Sequence, residues 1–132
     1  MKDPSTTLPP LTEFQAEILE VLWDQGESTV SAVWENLRQR REVARNTVHT
    51  MMTRLAEKSW LRHRAVGKTY LFEAAVPRQQ AQRLLAGRMI DSLFKGSAER
   101  LVMTLLEDRS LAPDEAERIQ AMLDGAKAKN GK

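Results

Sequence analysis

Residues 44–58 read "ARNTVHTMMTRLAEK", from Ala44 to Lys58. Val48, Met51, Met52 and Leu55 recur at i, i+3, i+4 and i+7, the spacing of one buried helix stripe. The other face carries Asn46, His49, Thr50 and Thr53, with Thr47 beside them and Arg45 and Arg54 at the rim. A face that meets only water is more often Glu and Lys. Short hydrogen-bonding side chains with arginines are what base edges accept: Asn pairs with adenine, Thr touches a thymine methyl, and Arg forks onto guanine. For Asn46 a second role stays open, because Asn is also a strong N-cap residue.

Charge around this stretch is sorted. Leu11 to Glu35 holds six acids and no base, whereas Arg38 to Lys68 holds nine bases and two acids. Such a block is either a nucleic-acid footprint or an internal counterweight to the acidic segment.

Upstream, Thr12 and Gln15 form a capping box for a helix that buries Phe14, Ile18, Val21 and Leu22 and ends at Gly26. "STV" (Ser28 to Val30) is long enough for one β-bridge. Ser31 is placed to cap a second helix, which buries Val30, Val33, Trp34 and Leu37. Downstream, "LRHRAV" and "TYLFEA" flank Gly67-Lys68, and Gly at the first position of a two-residue loop predicts a type II′ hairpin. Its basic residues are Arg62, Arg64 and Lys68, suited either to phosphate contact or to protecting an edge strand. Tyr70 and Phe72 are expected on the core face of this hairpin. Helix, bridge, helix, helix and hairpin is the order of a winged helix-turn-helix domain. Trp23, Trp34 and Trp60 sit at its joints and are expected to glue its core.

After Pro77 the pattern is helical. Leu84, Leu85, Met89, Ile90, Leu93 and Phe94 precede a break at Gly96, and Ser97 can cap the next helix, with Leu101, Val102, Leu105 and Leu106. A last helix begins near Pro113 and is expected to bury Ala116, Ile119 and Leu123, with "GAKAKNGK" fraying. Three short helices cannot bury this much apolar surface alone. A second copy of the same segment is the favoured cover, because a symmetric dimer uses one patch twice. The rival is packing on the N-terminal domain. Leu85, Met89, Ile90, Leu93, Phe94, Leu101, Val102, Leu105, Ile119 and Leu123 are the expected interface.

The expected organisation is mainly α with a small β-wing. A flexible arm (1–10) precedes a winged-helix DNA-binding domain (11–76), a helical dimerisation domain (77–125) and a flexible tail (126–132). The 132 residues are 42% hydrophobic and 29% charged, ordinary for a globular chain. No apolar run approaches the ~20 residues of a membrane span, and the start lacks a secretory h-region. A cytoplasmic protein without membrane insertion fits. With no cysteine and only His49 and His63, there is no pattern for thiol catalysis, a triad or a histidine–cysteine metal site. No enzyme activity, cofactor or metal is expected.

Together, "LTEFQAEILEVLWDQGESTVSAVWENL", "NTVHTMMTRLAEKSWL" and "RAVGKTYLFEAAV" resemble the penicillinase-repressor family. The resemblance continues through "LVMTLLEDRSLAPDEAERIQAML", where that family has its dimerisation helices. It implies a homodimeric winged-helix repressor of palindromic double-stranded operators that controls antibiotic-resistance or stress genes. It also implies relief by a sensor-linked protease, whose cleavage bond aligns with Thr104-Leu105. The family's usual Asn-Phe is absent there, as is the cysteine cluster of its copper-responsive branch. The family's frequent Ser-Pro at the start of the recognition helix is Ala44-Arg45 here, which leaves Asn46 as the candidate cap. The alternative function is a winged-helix protein-interaction module that reads no DNA sequence.

Overall fold

The computed structural model describes residues 8–108 and 111–130. Its elements are α1 (Glu13–Gln25), α2 (Val30–Leu37), α3 (Arg45–Glu57), β1 (Leu61–Val66), β2 (Thr69–Ala74), α4 (Arg78–Leu93), α5 (Ala98–Asp108) and α6 (Pro113–Asn130). The chain is mainly α with one antiparallel two-stranded sheet. It divides into two units within α4, the first ending at Gly87 and the second beginning at Arg88.

Helix α1 starts at the capping box: Thr12 N–H donates to Gln15 Oε1 (2.9 Å) and Gln15 N–H donates to Thr12 Oγ1 (3.2 Å). Gln15 also donates through Nε2 to the Met51 sulfur (3.2 Å), which ties α1 to α3. Gly26 closes α1 at φ +80°, a conformation that favours glycine. The cap of α2 differs from expectation. Thr29 Oγ1, not Ser31, accepts from Ala32 N–H (3.1 Å), because the backbone is still extended at Thr29 and already helical at Ser31. Helix α3 starts at Ala44 with no side-chain cap, so Asn46 lies inside the helix and the capping role expected of it is not taken up.

The end of α3 sets the path of the chain into the sheet. Ser59 adopts φ +73°, with its N–H on Ala56 O (3.1 Å) and Trp60 N–H on Leu55 O (2.9 Å). This paired closure is a Schellman motif, with serine where glycine is usual. Trp60 is thereby turned fully into the core beside Leu55. The core of the first unit collects Ile18, Leu19, Val33, Leu37, Val48, Met52 and Leu55 from the three helices, with Leu61 and Phe72 from the sheet. Each of the larger aliphatic side chains contributes about 1.5–3 kcal/mol through burial. Met51 is half-buried at the margin.

Each tryptophan ties a joint through its indole N–H, since a buried indole needs an acceptor. Trp23 donates to Val76 O (2.9 Å), Trp34 to Val43 O (2.8 Å) and Trp60 to Pro9 O (3.0 Å). Of the expected arm, residues 1–7 lie outside the described residues. Its inner end is anchored, with Leu8 buried in the core.

The strands pair in register from Leu61↔Ala74 to Val66↔Thr69, and Ser28 adds an isolated bridge to Phe72. Gly67 has φ +63° and Lys68 has no positive φ, as a type II′ turn requires. Phe72 is buried, but Tyr70 is exposed, against the expectation that both would be core: the sheet outruns the helical core near its turn.

In the second unit, Ser97 Oγ accepts from Arg100 N–H (3.2 Å) and caps α5. Helix α6 runs on to Asn130, past the fraying expected from Gly125. Ala116, Ile119 and Leu123 are exposed on the single chain instead of buried, because among the described residues no element of this unit covers that stripe.

The strained turn is testable. Replacing Ser59 by Gly removes the left-handed penalty and should stabilise the fold by about 1 kcal/mol in denaturant unfolding. Unchanged or lower stability would mean that the Schellman closure does not hold α3.

Candidate nucleic-acid interface

Burying Val48, Met52 and Leu55 leaves the opposite face of α3 in solvent. Arg45, Asn46, Thr47, His49, Thr50, Thr53 and Arg54 are all exposed. Arg45, the first helical residue, is held in place by its Nε–H, which donates to Ser31 Oγ (2.9 Å). Ser31 thus orients an arginine instead of capping a helix.

Alternation along the strands sorts the wing residues. Leu61, His63 and Ala65 share a face with their partners Ala74, Phe72 and Tyr70, and this face adjoins α3. Arg62 and Arg64 fall on the opposite face with Glu73 and Leu71. There Arg62 pairs with Glu73 (3.2 Å), and Arg64 donates two parallel hydrogen bonds to Glu27 (both 2.8 Å). The Arg64–Glu27 pair clamps the loop ahead of α2 to β1, across β2. Hydrogen bonding to Arg64 lowers the pKa of the Glu27 carboxyl, and the same bond raises that of the guanidinium.

The basic segment therefore divides. Arg38 pairs with Glu35 and Arg41 with Glu17. Arg38 also lies over Trp34, and Arg41 over Phe14. Among the described residues, Arg40, Arg45, Arg54, Lys58 and Lys68 form no ion pair. Arg45 and Lys68 line one cleft with Ser31, His49 and Tyr70. A second cleft is lined by His49, Thr53, His63, Tyr70 and Phe72. So α3 and the wing tip share one concave surface, whereas Arg62 and Arg64 lie on the far face of the sheet. Ser31, His63 and Tyr70 are among the lining residues that sequence reasoning did not assign here. The parity of Leu61, the buried first strand residue, carries the signal for Tyr70.

The other expected positions lie in or near the second unit. Leu85 is half-buried against the first unit's core. Ile90, Phe94 and Leu101 are half-buried. Met89, Leu93, Val102, Leu105, Ile119 and Leu123 are exposed apolar residues, Leu93 at 72% and Leu123 at 58%. Thr104, on exposed α5, donates its hydroxyl to Arg100 O (2.9 Å).

The wing clamp has a pH signature. Because the Glu27 pKa is lowered by folding, its contribution is present above the ordinary carboxylate range and is lost as pH falls through the folded value. Glu27→Gln should raise amide exchange at Ser28 and Phe72 by about two- to fivefold at neutral pH. Unchanged exchange in the variant would show that the ion pair holds nothing.

Over residues 11–125 the sequence matches the Penicillinase repressor family. Methicillin resistance regulatory protein MecI of Mammaliicoccus sciuri is 21% identical over 108 residues, 82% of this chain and 88% of that protein. The penicillinase repressor of Bacillus licheniformis is 19% identical over 117 residues, 89% and 91% of the two chains. The solution structure of the DNA-binding domain of the repressor BlaI aligns at TM-score 0.51 and 21% identity, over 61% of this chain and 93% of that one. RosR of H. salinarum aligns at TM-score 0.51 and 20% identity, over 90% and 96%. At these identities the structural likeness establishes the fold. No helix among the described residues is long and apolar enough to cross a membrane. With the winged helix in place and the family match spanning most of the sequence, the chain belongs to the penicillinase-repressor family of DNA-binding transcriptional repressors.

Proposed function

We propose that this chain is a homodimeric repressor that binds palindromic operator DNA, with α3 in the major groove and the wing tip on the flanking backbone. The observation that carries the reading is the division of charge. Among the described residues, Arg45, Arg54 and Lys68 are without acidic partners around the polar face of α3, while Arg38, Arg41, Arg62 and Arg64 each hold an acid. Asn46, His49, Thr50 and Thr53 are the base-facing residues, with Thr47 at their edge. Phosphate contacts from the cations set register, and the polar face sets sequence preference.

Dimerisation is assigned to the exposed apolar residues of α4–α6, chiefly Leu93, Val102, Leu105, Leu106, Ile119 and Leu123. Uncovered apolar area on this scale marks an association surface. The names of the relatives concern methicillin resistance and penicillinase. By that likeness the regulated gene is one for antibiotic resistance or stress, the chain acts in the cytoplasm, and repression is steric. Induction weakens the dimer, and a sensor-linked protease cutting at Thr104-Leu105 would do so by detaching Leu105, Leu106 and α6. Losing the second half-site removes about half the contacts.

The test is binding to a duplex selected by the protein from a random pool, titrated against salt. Three cations per protomer neutralise about six phosphates per dimer, so log K against log salt should slope by about −5. Lys68→Ala should lower the slope by about 2 per dimer and weaken all duplexes alike, whereas Arg64→Gln should leave it unchanged. Leu105→Asp should give a monomer by sedimentation. Salt-independent binding, or equal slope losses for Lys68→Ala and Arg64→Gln, would contradict the assignment.

A further inference from the structure

Tyr70 is 53% exposed, yet it stands at the junction of the two clefts, one with Ser31, Arg45, His49 and Lys68, the other with His49, Thr53 and His63. Its ring is held edge-on by His63, with centroids 5.0 Å apart and planes at 85°. His63 in turn leans on buried Phe72 at 5.4 Å. Among the described residues the Tyr70 hydroxyl has no hydrogen-bond partner. Among the described residues the chain thus presents a positioned aromatic ring with a free donor in a cleft that two unpaired cations also line.

We infer that Tyr70 is a further DNA-contact residue, which donates its hydroxyl to a backbone phosphate seated between Arg45 and Lys68. The inference rests on the proposed DNA-binding reading and deepens it. A helix in the major groove and a hairpin tip outside that groove are separated by the strand that walls the groove. That strand must cross the cleft between α3 and the wing, where Tyr70 stands. A neutral hydroxyl on a charged phosphate oxygen is a strong donor, and the phosphate carries no sequence information.

The chemistry separates this role from its rivals. A cation releases counterions, so its loss changes the salt slope; a hydroxyl releases none, so its loss leaves the slope unchanged. A base reader loses affinity only on the selected sequence, while a phosphate donor loses it on every duplex.

The experiment compares wild type and Tyr70→Phe on the selected duplex and on a scrambled duplex of equal length, across salt. Phe keeps the ring and its packing, and a thermal melt superimposable on wild type verifies the fold. The expected result is a loss of about tenfold on both duplexes with the slope unchanged. A second arm replaces each phosphate together with its symmetry mate in the other half-site by a neutral methylphosphonate, one pair at a time. At the seat position, wild type and Tyr70→Phe should bind alike, and elsewhere they should keep their difference. Equal binding of the two proteins throughout, a loss confined to the selected duplex, or a difference that no methylphosphonate abolishes would each overturn the inference. A wild-type chain that retains no duplex would instead defeat the DNA-binding reading itself.

Discussion

The burial of Trp60 is the constraint on which the interface depends. Its backbone N–H closes α3 on Leu55 O, its carbonyl accepts from Ala75 N–H (2.9 Å), and its indole holds Pro9 O. One fully buried residue thus joins α3, the wing and the chain ahead of α1. Ser59 takes up an unfavourable backbone conformation so that this can happen. With the exit of α3 fixed, β1 must start at Leu61, and strand alternation then dictates which wing residues face α3. His63 and Tyr70 do; Arg62 and Arg64 do not.

Electrostatics is layered on that geometry. The acidic segment and the basic segment adjoin in sequence, and the basic block serves in part as an internal counterweight to the acids. Four of its arginines hold acids, and two of those also lie over aromatic rings. Arg41–Glu17 fastens the α2–α3 turn to α1 and Arg64–Glu27 fastens the wing to the loop ahead of α2, whereas Arg38–Glu35 and Arg62–Glu73 are local pairs. The remaining cations around α3 keep their charge for solvent or a polyanion. Exposed pairs of this kind contribute little stability each. Their larger effect is to decide where the residual positive field lies.

Much of the fold is legible in the sequence because local rules agree with one another. The stripe Val48, Met51, Met52 and Leu55, the Thr12–Gln15 box and the Gly67-Lys68 turn each name a conformation through one mechanism, and the fold realises all three. The misses lie where two groups compete for one role. Thr29 and Ser31 both offer a hydroxyl near the start of α2, and only the backbone angles decide that Thr29 caps and Ser31 receives Arg45. Charge content alone groups Arg62 and Arg64 with Lys68 as candidate DNA contacts. The residue parity set by Leu61 separates them, but it emerges only once Leu61 is known to be buried. Tyr70 resembles core by type, and the sheet carries it beyond the core. On α6, the apolar residues give no sign of whether their cover lies within the chain.

The central claim is that α3 and the inner face of the wing meet DNA together while the Arg62–Arg64 face stays in solvent. Cross-saturation transfer from duplex protons to the amides of deuterated protein tests it directly. The account requires the strongest attenuation at Asn46, His49, Thr50 and Thr53 and from Lys68 to Tyr70, with Arg62, Arg64 and Glu73 unaffected. Attenuation centred on Arg62, Arg64 and Glu73, with α3 untouched, would contradict it.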